Sequence, residues 1–141
     1  MREELPGRAA LEPGTIEIAF AVFLRLIACL CLVSGVLYWI RLIGYYPGDL
    51  YRFDLMPVQW QIAASVLAVL FPFAAAGLWM LASWGPVIWF LCAAGEIAMH
   101  AGFPQYFGHR PSVVVTHAVV AAIYCGFRAA MQRRRRAEAV Q

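Results

Sequence analysis

Apolar residues along this chain fall into four long blocks, separated by short stretches of turn-forming and charged residues. The first block runs from about Ile18 to Ile43 and closes at Gly44-Tyr45-Tyr46-Pro47-Gly48. A second, about Val58 to Ala82, has no charged side chain and stops before Ser83-Trp84-Gly85-Pro86. Pro86 suits the first turn of a third helix, where a missing N–H leaves no bond unmade, and this block reaches about Phe103. The fourth follows Pro111 and continues to about Met131. A bilayer core about 30 Å thick takes about 20 apolar helical residues, so each block predicts a crossing. The expected fold is all-α, a polytopic four-transmembrane-helix bundle over residues 18–131 with spans at about 18–43, 58–82, 86–103 and 112–131. Residues 1–17 read as a polar tail and residues 132–141 as a basic cytoplasmic one.

Composition narrows the class. The 141 residues are 63% hydrophobic and 13% charged, whereas a soluble domain is about 45–50% apolar and about 25% charged. This excludes a cytosolic enzyme, a nucleic-acid binder and a disordered adaptor. Arg2 and Arg8 precede the first block, as in a secretory leader, but the block far exceeds the roughly 7–15 residues of a leader's apolar region, and no small-residue cleavage site follows Ile43. It predicts a retained span.

All 11 basic residues are arginine, and their placement sets orientation. With four crossings, Arg2, Arg8, Arg128, Arg133, Arg134, Arg135 and Arg136 share one side, and Arg41, Arg52 and Arg110 the other. The positive-inside rule then puts both termini in the cytoplasm. Arg133 to Arg136 are expected to anchor the last helix at the anionic inner leaflet. Trp39, Trp60 and Tyr106 fall at the outer interface, and Trp79, Trp84 and Tyr124 at the inner one, as aromatic belts. The outer connection Gly44–Pro57 alternates aromatic and charged residues, which suits a segment lying along the membrane surface.

Helices in lipid approach each other through small residues. Candidates are Ala64 and Ala68 on the second helix, Ala94, Ala98 and Gly102 on the third, and Ala118 and Ala122 on the fourth. Pro72 is expected to kink the second helix. Cys29, Cys31, Cys92 and Cys125 all lie in apolar stretches and read as small buried hydrophobes.

Ionisable residues at membrane depth are costly and mark candidate sites. Glu96 lies ten residues past Pro86, roughly 15 Å into the third span, and Arg25 lies seven past Ile18, roughly 10 Å from the same face. Either Arg25 snorkels to the headgroups or it pairs with Glu96 across the bundle. Cys92, Glu96 and His100 share one stripe of the third helix, and His117, Ala121, Tyr124 and Arg128 one stripe of the fourth. The hairpin joining these helices near Gly108 brings Glu96, His100 and His117 to similar depth. Interhelical hydrogen bonding, a proton or ligand path, and a metal or haem site are all compatible with such a cluster. The metal reading rests only on a nonlocal ligand set, and no metal or cofactor is assigned. No nucleophile elbow, Ser/His/Asp arrangement or phosphate loop is present in the sequence.

The stretch FDLMPVQWQIAASVLAVLFPFAAAGLWMLASWGPVIWF, Phe53 to Phe90, followed by GEIAM at Gly95 to Met99, resembles a family of small four-helix inner-membrane proteins of alphaproteobacteria. The similarity extends from about Phe20 to Phe127 and is most specific in FDLMPVQWQ, WGPVIW and GEIAM. It implies a bacterial inner-membrane location and sets Glu96 inside a motif, but implies no activity. The leading expectation is a non-enzymatic, multi-pass inner-membrane protein, an accessory or interaction subunit whose partners are the bilayer and other membrane proteins or itself, without nucleic acid. The alternative is a small carrier or redox-linked protein using Arg25, Glu96, His100 and His117. Contact between that polar cluster and a water-accessible cavity separates the two.

Overall fold

The structure, a computed structural model, describes residues 14–139. The polar stretch 1–13, with Arg2 and Arg8, lies outside the described residues. Helix α1 spans Thr15–Ile43, and after a 3₁₀ turn at Asp49–Tyr51 helix α2 spans Val58–Trp79. Helix α3, Trp84–Ile97, passes without a break into a π-helical turn, Ala98–Gly102. A single turn, α4 at Pro104–Phe107, leads to α5 at Pro111–Glu138.

Among the described residues three helices, α1, α2 and α5, are long and apolar enough to cross a membrane. The third predicted span is divided: α3 has 14 residues, about 21 Å at 1.5 Å per residue, and the π turn completes the helical run. At the other end, α5 extends past Met131 through Arg133, Arg134, Arg135 and Arg136 to Glu138, so most of the expected tail is helix. Arg, Gln and Ala are good helix formers, and cations are favourable in a last turn. All four arginines are exposed.

Two seams hold α1 to α2. Leu24, Ala28, Cys31, Gly35 and Tyr38 on α1, and Trp60, Ala64, Leu67, Phe71, Ala74 and Leu78 on α2, recur at alternating spacings of four and three. That pattern keeps one face turned toward a neighbouring helix. Ala64 and Ala68 are fully covered, as close helix approach requires. The small residues of the later helices behave differently. Ala94, Ala98, Gly102, Ala118 and Ala122 are exposed, because α3 turns its Gly85, Trp89, Cys92 stripe inward and the inward stripe of α5 runs through Val113, His117 and Val120. Gly85 supplies the close approach instead: a Cβ there would lie 2.5 Å from the carbonyl carbon of Gly77. Of the cysteines, Cys31 and Cys92 are buried, whereas Cys29 and Cys125 face outward.

Pro72 does not interrupt α2. Lacking an N–H, it leaves the carbonyl of Ala68, four residues back, without its helical donor. Trp39 of α1 fills that place: its indole Nε1–H donates to the Ala68 oxygen at 2.9 Å. One turn earlier, Gly35 makes room for the proline ring, since a Cβ there would lie 2.7 Å from Pro72 Cδ. Trp39 therefore anchors one helix to another as well as presenting an exposed face. Trp60, expected in the outer belt, is 4% exposed and donates Nε1–H to the Tyr106 carbonyl at 3.0 Å.

The Trp39 bond can be measured by a double-mutant cycle. Trp39→Phe orphans the Ala68 carbonyl and should destabilise the protein by about 1 kcal/mol. In a Pro72→Ala background, where the helix regains its own donor, the same change should cost distinctly less. Unfolding in detergent measures both, and equal costs in the two backgrounds would refute the pairing.

Candidate functional site

Tyr38, Glu96 and His117 come from α1, α3 and α5, and each occupies the inward seam of its helix. The Tyr38 hydroxyl donates to Glu96 Oε1 at 2.6 Å, and His117 Nε2 meets Glu96 Oε2 at 2.6 Å. Both carboxylate oxygens are thus engaged, by two different helices. The Glu96 and His117 side chains are 13% and 12% exposed. Each seat is fixed by neighbours: the Tyr38 ring stacks on Phe71 at 5.9 Å with 16° between planes, and the His117 ring sits 6.2 Å from Trp89.

His100 is brought to Glu96 at its main chain rather than its carboxylate. The buried His100 ring bonds through Nδ1 to the Glu96 carbonyl oxygen at 2.9 Å. Since a carbonyl only accepts, Nδ1 carries the proton and donates. The contact lies at the junction of α3 with the π turn, where the change from i→i+4 to i→i+5 bonding rearranges main-chain acceptors. His100 thus braces the helix that carries Glu96.

Arg25 does not meet Glu96. Its guanidinium lies over the Trp79 ring, 5.9 Å from the centroid, at the far end of α2 from the Gly44–Pro57 connection. The side chain is exposed, so it takes the aromatic face and the surface instead of crossing the bundle. Of the two readings of Arg25 the pair with Glu96 is not formed: Tyr38 and His117 occupy the carboxylate, and neither needs a long side chain to cross.

Two cavities meet at Glu96. One, about 320 Å³, is a cleft between α1 and α5 lined mostly by apolar side chains, with Ser34, Glu96, Ser112, Thr116 and His117 as its polar members. The second, about 140 Å³, is lined by Ser34, Leu37, Tyr38, Arg41, Glu96 and Arg110. Ser34 and Glu96 belong to both. Arg41 is held with its guanidinium 4.7 Å from the Tyr51 ring and 4.5 Å from the Trp60 ring. These rings steady the cation without neutralising it.

Tyr38, Ser34, Arg41 and Arg110 were not singled out in the sequence as site residues. Tyr38 had a legible signal: counting four and three from Leu24 along α1 arrives at it. Nothing comparable marks Ser34 or Arg110, whose roles depend on α5 lying beside α1. Among the described residues, no group of three or more His, Cys, Asp or Glu is placed to hold a metal ion.

The triad predicts a specific ranking of substitutions. Glu96→Gln can still accept from Tyr38 and donate to His117, so stability in detergent should stay within about 1 kcal/mol of wild type. Glu96→Leu orphans both partners and should cost about 1–3 kcal/mol. Arg25→Gln and Glu96→Gln should be additive within about 0.5 kcal/mol. A larger coupling energy would show that Arg25 and Glu96 interact after all.

Comparison with curated proteins and with solved structures gave no match. Residues 18–135, which include both cavities and the whole Tyr38–Glu96–His117 triad, match the family of unknown function DUF6163, and the chain belongs to that family.

Proposed function

We propose that this protein is a multi-pass carrier or binding protein of the bacterial inner membrane, in which the Glu96–His117 pair takes up and releases a proton as its ligand binds and leaves. The observation that carries this reading is the junction of two cavities at Glu96. A carboxylate used only as interhelical glue has no need of access from two directions, whereas a group that exchanges protons or touches a ligand does. Glu and His joined at 2.6 Å can share one proton between them. The charged and titratable groups around the pair are Tyr38, Arg41 and Cys31 from α1, Arg110 at the start of α5, and Cys92 and His100 on the same helical run as Glu96.

In this reading the run Trp84–Gly102 provides the fourth crossing, and both termini lie in the cytoplasm. Arg128 and Arg133 to Arg136 then face the anionic inner leaflet, with Arg41, Arg52 and Arg110 outside. A second reading, the accessory subunit of an envelope assembly, draws support from α5. No residue of its candidate span is buried within the chain, so its outer face is open to lipid or to another helix.

Infrared difference spectra of the protein in liposomes, between acidic and neutral pH, test the proton site. A carboxyl band should be present in the wild type, be absent in Glu96→Gln and be shifted in His117→Gln. A spectrum unchanged by Glu96→Gln would overturn the reading. For topology, compartment reporters fused at Gly48 and at the C-terminus should give opposite signals, and matching signals would exclude four crossings.

A further inference from the structure

The geometry points to a single-chain anionic amphiphile as the ligand, its headgroup held between Arg41 and Arg110 and its chain lying in the cleft between α1 and α5. This rests on the binding reading above and names its ligand class. The smaller cavity supplies the head site. Two guanidinium groups line it with Glu96, whose single charge cannot offset both and which is itself paired with His117, so the balance there is positive. Among the described residues the ion pairs are Arg52–Asp54 and His117–Glu96, and no carboxylate among them pairs with Arg41 or Arg110. Arg41 is further fixed by two aromatic faces that leave the edge of its guanidinium available to donate. A phosphate or carboxylate accepts from such groups in charge-assisted hydrogen bonds.

The larger cavity supplies the chain site. Its α1 wall descends from Ser34 through Val33, Cys31 and Leu30 to Ile27, and Val113 and Val120 face it from α5. From Arg41 to Ile27 the path along α1 is about 21 Å at 1.5 Å per residue. Below Ile27 the gap between the helices is closed by aromatic contacts, Phe20 to Tyr124 at 5.8 Å and Phe23 to Phe127 at 5.5 Å. The site is therefore cationic at the end beside the outer connection, apolar along its length and blocked at the bottom, with Ser34 and Glu96 where the two parts join. At about 320 Å³ the chain cavity is near the lower end of the usual range for small-molecule sites, which favours one chain over two.

Hexadecyl phosphate carrying a bromine near the chain terminus is a suitable probe, because bromine quenches indole fluorescence and Trp89 lines the cleft. Titrated into the full chain in discs of zwitterionic lipid, it should quench saturably. Arg110→Gln, a change at an exposed residue, should weaken binding about tenfold, the size of one charge-assisted hydrogen bond, and Arg110→Lys should restore part of it. Val33→Trp, which fills the cleft from α1, should abolish saturable quenching by the probe. Excess inorganic phosphate should not displace the probe. Full displacement by inorganic phosphate would mean a small-anion site and overturn the amphiphile, as would binding that is absent or unaffected by either Arg110→Gln or Val33→Trp. An intact Glu96 infrared band without probe binding would refute the ligand class alone. Probe binding without that band would refute proton coupling and leave the ligand class standing.

Discussion

Main-chain groups without partners are costly in an apolar medium, and one such group organises this protein. Pro72 leaves the Ala68 carbonyl without a helical donor, and α1 answers with the Trp39 indole one turn after Gly35 has admitted the proline ring. The two contacts, a void filled and an acceptor satisfied, fix both the spacing and the rotation of α1 against α2. Tyr38 precedes Trp39, so the same rotation directs its phenol onto Phe71 and on toward Glu96. The seat of the Tyr38 hydroxyl is thereby tied to a proline on a helix that contributes no polar group to the candidate site.

On the opposite side of the carboxylate, rigidity comes from the helical irregularity after Ile97. A π turn rearranges the main-chain bonds of its segment, and His100 places a ring nitrogen on the Glu96 carbonyl there. Glu96 is consequently braced at its backbone by one histidine and bonded at its carboxylate by another. The two have different physical tasks, since a carbonyl can only accept whereas a carboxylate and an imidazole can exchange a proton.

Helix α5, which carries His117 and follows directly on Arg110, is lightly packed. Near the cytoplasmic end proposed for the bundle, Phe20, Phe23, Phe90, Tyr124 and Phe127 form an aromatic contact that closes the gap. Higher up, the His117–Glu96 bond bridges α3 and α5 beside an open cleft. Loose packing above a closed base leaves the cleft between α1 and α5 open beside an intact α1–α2 seam. It also leaves the outer face of α5 uncovered within the chain.

Hydropathy alone determined that the protein is helical and apolar, with α1, α2 and α5 long enough to cross a membrane, because helix length and side-chain transfer energy are local properties. Glu96 was legible for the same reason: a carboxylate deep in an apolar run stands out wherever its neighbours lie. Pro72 announced a missing donor, and the Cys92, Glu96, His100 stripe marked a face of α3. Partners were a different matter. Arg25 and Glu96 matched in depth and charge, but depth along an axis says nothing about rotation around it, and packing turned Arg25 outward to Trp79 while bringing Tyr38 and His117 to the carboxylate. The small-residue stripes of α3 and α5 failed for that reason too, since several faces of each helix carry alanine and only the neighbouring helices select one. The cavities beside Glu96, and the meeting of Arg41 with Arg110 in one of them, exist only between elements distant in sequence, so tertiary structure alone decided them.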